Sequence, residues 1–380
     1  MGVFQLQVPT QVRFGAGRAQ ELVEVLAQWQ CERAFLVTDP AVMATSGVER
    51  AVQALTEAGI EVALWDRVMS DPTLDSVHQA AEAFARSGAA GLVAVGGGSA
   101  IDTAKGIRVL ASAGGRLADY AGPEGKAFCP RVSIPVVALP TTAGTGSEVT
   151  FFGVYSDPAR HLKVTVTSPH LAPEVAIVDP ELTRSLPPIP TAQAGIDVLG
   201  HAIEAYVSRA ASAVSDLFAE RAIGLVARHL PVAVADGANE TAREGMAEAS
   251  LLAGIAFNHA GLGLTHAIAA ALSGAVGLAH GAAIGLLLPA VAEYNWPAAP
   301  QKLARVAELL GRPATSGAAL GATIRALDQQ IGIPTRLKEV GVTEGMLPEM
   351  ARATALSVQL RFNPRQPTEA EVVNLLRAIW

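Results

Sequence analysis

The chain has 380 residues, of which 50% are hydrophobic and 17% charged, with 28 Lys and Arg against 35 Asp and Glu. That length exceeds what one core ordinarily serves and points to two domains, and the composition excludes a disordered chain. A formal net charge of −7 with no Lys/Arg cluster excludes a nucleic-acid partner.

The N-terminus, "MGVFQLQVPTQVRFGAG", alternates like a strand and lacks the apolar core of a signal peptide. "RAFLVTD" (33–39), "EVALWD" (61–66), "GLVAVGGG" (91–98) and "SIPVVALP" (133–140) read as strands. "SGVERAVQALTEAG" and "LDSVHQAAEAFARSG" between them have helical periodicity. Strands apolar on both faces, alternating with helices, predict a parallel sheet covered by helices. Residues 149–180 read as further short strands, with a hairpin turning at Asp157–Pro158. The proline cluster "SLPPIP" (185–190) marks a domain boundary. Residues 1–185 are expected to form an α/β domain, and 186–380 a helical one.

Cys31 and Cys129 lie far apart and outside any CxxC spacing, so they are expected to be reduced thiols of a cytoplasmic protein. Residues 249–292 contain no Asp, Glu, Lys or Arg. Glycines interrupt that stretch every few residues, and it carries three histidines and Asn258. Buried helices of a globular core fit it better than a bilayer span, so no membrane partner is expected.

Two loops suit a nucleotide. "LVAVGGGSAIDTAKGI" places three glycines and a serine between a buried strand and a helix, where a phosphate can meet free backbone N–H groups. It is not GxGxxG, because Ile101 replaces the third glycine, and Lys105 lacks the spacing of a P-loop. "LPTTAGTGSEVT" (139–150) again follows a strand and crowds hydroxyls with glycines. Asp39 ends another strand, where its carboxylate could bond an adenosine ribose or simply cap a helix.

Asp197 and His201 in "AGIDVLGHAIEAY" are four apart, on one face of a helix, and can reach a common ion. His266 and His280 are 14 apart, which on one unbroken helix is about 21 Å. Metal–nitrogen bonds are only about 2.0–2.1 Å, so sharing an ion requires a turn near residues 273–279, where Gly274 and Gly277 allow one.

Taken together, "GGGSAIDTAK", "PTTAGTGSEVT", "AIVDPELTRSLPP", "TAQAGIDVLGHAIEAY", "GLGLTHAIAAALSGAVGLAHGAA" and the tail "NPRQPTEAEVVNLLRAIW" resemble the iron-containing (group III) alcohol dehydrogenase family over essentially the whole chain. The resemblance implies an α/β dinucleotide-binding domain with a parallel sheet, an all-α metal-binding domain, and an active site in the cleft between them. This is the architecture shared with dehydroquinate synthase. The family's metal ligands fall on Asp197, His201, His266 and His280. Its cofactor contacts fall on Asp39, Gly97, Gly98, Ser99, Asp102, Thr141, Thr142, Thr145, Ser147, Lys163 and Leu182. The resemblance favours NAD, since Asp39 would repel a 2′-phosphate, although some members also accept NADP. It favours Fe²⁺, with Zn²⁺ equally suited to the ligand types. The implied reaction is hydride transfer between NAD(H) and a small alcohol, aldehyde or ketone, by a homodimer.

One position departs from the family. Members often carry a further histidine four residues after the third ligand, and here that residue is Ala270. His259 stands where asparagine is common, and is a candidate proton relay in place of the missing imidazole. Maleylacetate reductase and glycerol dehydrogenase are alternative activities of the same type. Maleylacetate reductase would need cations for two carboxylates, and the metal motifs hold no basic cluster. A dehydroquinate-synthase-like lyase would need many basic and polar groups for a phosphorylated acid, which residues 249–292 do not offer. A nucleotide-binding protein without catalysis is a further alternative, disfavoured by the four intact ligand positions.

Overall fold

A computed structural model describes residues 4–43, 45–122, 134–158 and 162–380. Cys129 lies outside them, and Cys31 is a buried free thiol. Two compact units emerge. One comprises Gln7–Thr142 and Gly146–Ser185; the other is built on Leu186–Trp380, with Ala143–Thr145 assigned to it.

In the first unit the regular elements are β1 (Gln11–Phe14), α1 (Leu22–Gln28), β2 (Arg33–Val37), α2 (Pro40–Met43), α3 (Ser46–Glu57), β3 (Glu61–Trp65), α4 (Leu74–Ser87), β4 (Gly91–Gly96), α5 (Gly98–Ala113), β5 (Val136–Pro140), β6 (Phe152–Asp157), β7 (Leu162–Thr167) and β8 (Val175–Val178). Six strands form an all-parallel sheet in the order β1-β8-β5-β4-β2-β3. Alternate side chains divide between its faces. Leu36, Val93, Val95, Leu139 and Ile177 pack with Leu22, Leu26, Val48 and Leu55 of α1 and α3. Phe35, Val37, Leu92, Ala94 and Ala138 pack with Phe84, Ile101, Ala104 and Ile107 of α4 and α5. Burial on both faces explains why these strands read as continuous apolar runs. The antiparallel hairpin β6–β7 pairs Asp157 with Leu162, so the chain reverses just beyond Asp157. The N-terminal alternation yields only β1. Residues 4–9 form no strand, and Phe4, Leu6 and Val8 are exposed.

The strand order reverses between β2 and β4. From β2 the chain moves outward to β3, whereas from β4 it moves the other way to β5. The crevice at the carboxyl ends of those two strands is where such a sheet accepts ligands.

The second unit contains α6 (Pro188–Val207), α7 (Ala213–Ala235), α8 (Glu240–Ala260), α9 (Leu264–Val276), α10 (His280–Asn295), α11 (Pro300–Leu309), α12 (Gly317–Ile331), α13 (Leu347–Ala355) and α14 (Glu369–Ala378). Helix α6 packs against α7, α8 and α10 and is buried nearly all round from Gly195 to Val207. That explains its lack of a polar face. A core of Leu264, Ile268, Leu272, Ile284, Leu287, Leu347 and Leu376 joins α9, α10, α13 and α14. Among the described residues no single helix is long and apolar enough to cross a membrane, and α8 and α9 meet at 103°.

Candidate metal centre and nucleotide loops

Asp197 and His201 lie one turn apart on α6, both 5% exposed. His266 enters from the first turn of α9, 3% exposed. Helix α9 ends at Gly277, whose φ of 68° is the left-handed conformation that terminates helices, and α10 begins at His280. This break lies within the segment where shared ligation requires a turn. It returns His280 to the same place as His266, with ring centroids 5.5 Å apart.

The four side chains converge on one atom. Asp197 Oδ1 lies 3.5 Å from His266 Nε2, 3.7 Å from His201 Nε2 and 3.7 Å from His280 Nε2. These spacings are too long for good hydrogen bonds, and the buried Asp197 Oδ1 and His266 Nε2 have no hydrogen-bond partner. They suit ligands around one ion: donors each about 2.0–2.2 Å from a tetrahedral centre lie about 3.4 Å apart. Asp197, His201 and His266 present one donor each, all within 4.8 Å of one another. His280 differs, its side chain being 43% exposed.

Glycines allow this convergence. A Cβ on Gly281 would lie 2.1 Å from the carbonyl oxygen of Gln193 on α6. One on Gly200 would lie 2.6 Å from Ile284 of α10. Substitution at either would separate α6 from α10 and carry His280 away from Asp197.

Burial opposes charge on Asp197, but the imidazoles of His201, His280 and His266 together outweigh it and hold the carboxyl well below the usual carboxylate range. Burial moves His201 down to about 4, against the pull of Asp197. For His266 burial also acts downward, yet the neighbouring carboxylates of Asp197 and Glu204 prevail and raise it to about 9.

Glu204 is the residue that sequence reasoning overlooked. It is buried, and it accepts hydrogen bonds from His266 Nδ1 at 2.7 Å, Gly263 N at 2.8 Å and Thr265 N at 2.5 Å. One carboxylate thus satisfies two free amides at the start of α9 and turns His266 so that Nε2 faces Asp197. Asn363 Oδ1 accepts from Leu264 N in the same turn. Phe257 stacks on His201 with ring centroids 4.3 Å apart. Glu204 had a signal, since residues 197, 201 and 204 form one stripe on α6. Asn363 had none. His259 sits in the last turn of α8, half-buried, with Nδ1 donating to Ile255 O at 2.8 Å when that nitrogen carries the proton. Ala270 is exposed on α9, one turn after His266.

In the other unit, Asp39 and Gly96–Ser99 occupy the carboxyl ends of β2 and β4 at the strand-order reversal. Asp39 Oδ1 caps α2 by accepting from Ala41 N and Val42 N, as the alternative reading of that residue holds. A Cβ at Gly96 would meet Ala100 at 2.7 Å and Asp39 Oδ2 at 3.5 Å. One at Gly97 would meet Thr142 at 3.3 Å. Backbone there is therefore accessible only because side chains are missing. Thr141 N donates to Gly96 O, tying the two loops together, while the buried Thr141 hydroxyl has no partner. These features fit a pyrophosphate-bearing cofactor.

Gly98 and Ser99 open α5, and Ser99 O accepts from Thr103 Oγ1. Asp102 turns inward, its Oδ1 accepting from Ser147 Oγ and its Oδ2 from Val154 N. Thr142 is half-buried, and Thr145 is exposed and grouped with the helical unit. Lys163 on β7 pairs with Asp71 at 2.6 Å. Leu182 is core, packed with Leu36 and Ile177. Phe151 and Phe152 are half-buried after the second loop.

Two family models match the chain: the iron-containing alcohol dehydrogenase model over residues 9–180, and the C-terminal model of the Fe-containing alcohol dehydrogenase family over residues 191–380. The chain is 40% identical to a 1,3-propanediol dehydrogenase of Klebsiella pneumoniae, covering 99% of this chain and 98% of that protein. It is 37% identical to an NAD-dependent methanol dehydrogenase of Bacillus methanolicus, over 97% and 98%. The crystal structure of a 1,3-propanediol oxidoreductase superposes with a TM-score of 0.95 at 40% identity, covering 100% of both chains.

Proposed function

The chain belongs to the iron-containing alcohol dehydrogenase family, and on that premise we propose that it is a metal-dependent oxidoreductase passing a hydride between NAD(H) and a small alcohol or aldehyde. The observation that carries this reading is the convergence of three Nε2 atoms on the buried Asp197 Oδ1. Asp197, His201, His266 and His280 would hold Fe²⁺, with Zn²⁺ as the alternative. A divalent ion there polarises an alcohol or carbonyl oxygen as a Lewis acid.

Residues 1–185 act as the dinucleotide-binding domain and residues 186–380 as the metal-binding domain. NAD would be held by Asp39 at the ribose, and by Gly97, Gly98, Ser99, Thr141, Thr142 and Thr145 along the loops. Lys163 and Leu182 contribute further contacts, while Asp102 and Ser147 form the wall behind the loops. Asp197 and Glu204, two turns apart on α6, bring two negative charges beside the imidazoles, which favours a cation among them. Glu204 fixes the tautomer of His266, and the apolar helices exclude water. His259 serves as the proton relay: a proton on Nδ1, held by Ile255 O, leaves Nε2 free of hydrogen and able to accept one. The enzyme is a cytoplasmic homodimer in this reading, on the strength of the family resemblance.

The test is NADH absorbance with short-chain alcohols, 1,3-propanediol and methanol among them, before and after chelation. Activity lost on chelation and restored by Fe²⁺ supports the reading. Oxidation of the same alcohols at full rate in stripped protein refutes it.

A further inference from the structure

We propose that Lys105 is a positioning residue that fastens the second loop, through Ser147 and Thr150, to the helix behind the first, so that the cofactor cradle behaves as one rigid piece. The inference rests on the NAD reading of those loops.

A lysine just after a glycine-rich turn invites the idea of a phosphate ligand, and the geometry points elsewhere. Lys105 is 0% exposed. Its ammonium has three hydrogens, and all three have acceptors: Ser147 Oγ at 2.8 Å, Thr150 Oγ1 at 3.0 Å and Phe152 O at 2.7 Å. No donor remains for a phosphate. A buried ammonium is tolerated only when it is paired and satisfied, and here the pairing is internal to the protein. Asp102 Oδ1 lies 3.6 Å from Nζ and supplies the nearest negative charge.

The partners form a closed set. Ser147 Oγ accepts from Lys105 and donates to Asp102 Oδ1 at 2.5 Å. Asp102 Oδ2 accepts from Val154 N at 2.9 Å, and Tyr155 OH donates to the Asp102 carbonyl at 2.9 Å. Asp102 and Lys105, three apart on one face of α5, thereby hold the segment at Ser147, Thr150, Phe152, Val154 and Tyr155. Gly106 lets that segment pack closely, since a Cβ there would meet Val77 at 2.5 Å and Tyr155 at 3.2 Å. The N-terminus of the same helix carries Gly98 and Ser99, so displacement of one loop is transmitted to the other.

The experiment is amide hydrogen exchange on the free protein, with NAD and ADP-ribose affinities measured by titration calorimetry, for wild type, K105M, S147A and T150V. Loss of hydrogen bonds to a buried charge is expected to speed exchange at residues 147–154 by about 10- to 100-fold in K105M. S147A and T150V should show a smaller rise in the same segment, and K105M should weaken both ligands. Weakened binding with unchanged exchange would make Lys105 a phosphate ligand and overturn the proposal. If K105M does not fold, unchanged exchange in both S147A and T150V overturns it equally. Failure of the wild-type chain to bind NAD sinks the cofactor reading, and is told apart from failure of the tether by the exchange data.

Discussion

Replacing Glu204 by Gln changes one atom type yet should disable His266. The carboxylate accepts three hydrogen bonds, from Gly263 N, Thr265 N and His266 Nδ1, at 2.5–2.8 Å. A glutamine keeps one acceptor oxygen and presents an NH₂ in place of the other. At least one of the three donors therefore faces another donor in a site where Glu204 is only 3% exposed. An unmet buried donor costs about 1–3 kcal/mol, and loss of a carboxylate behind a ligating histidine typically weakens metal binding about 10- to 100-fold. The two agree, since that range corresponds to about 1.4–2.7 kcal/mol. Competition titration of Fe²⁺ or Zn²⁺ against a chelator, on chelator-stripped protein, measures the loss directly. E204D, which keeps the charge but shortens the reach, should fall between wild type and E204Q. Wild-type affinity in E204Q would refute the assignment of Glu204 as the group that aims His266.

Other substitutions test separate parts of the account. G281A should cut metal affinity sharply while leaving the N-terminal sheet unaffected, because its Cβ would lie 2.1 Å from Gln193 O beside His280; metal content of the purified protein decides. H259N should slow turnover and remove a limb of the pH–rate profile if His259 relays the proton, and an unchanged profile excludes that role. Burial pushes Glu148 up to about 7 against the opposing charge of Lys105. The folded chain therefore binds more protons than the unfolded one between its ordinary value of 4.5 and about 7, and stability falls as pH rises across that window. E148Q should remove this slope, gaining about 3 kcal/mol on wild type between pH 4.5 and 7 in urea unfolding of the α/β unit. A parallel pair of curves would contradict it.

Much of the architecture was legible because it follows from periodicity. Apolar runs in β2, β4 and β5 mark strands buried on both faces, and Gly277 marks the end of α9, since 14 residues of unbroken helix could not bring two histidines together. The convergence of Asp197, His201, His266 and His280 follows from an i,i+4 pair and a helix break that the sequence displays. What escaped were partners fixed only by tertiary packing. Asn363 meets Leu264 across 99 residues of chain, and Lys105 reaches Ser147 across 42. The sequence sets that lysine apart from a P-loop lysine by spacing, but does not show where its ammonium turns. Asp102, assigned to the cofactor by resemblance, turns its carboxylate toward Ser147 and Val154, a direction no spacing rule encodes. The N-terminal alternation had the period of a strand, but among the described residues only Gln11–Phe14 of that segment form one, and residues 4–9 do not.

The most direct test of the metal centre is diffraction at the iron absorption edge from crystals grown with Fe²⁺. The expected result is one anomalous peak per chain, within about 2.0–2.3 Å of Asp197 Oδ1 and of the Nε2 atoms of His201, His266 and His280. A fully active crystal whose iron peak lies away from these four residues would contradict it.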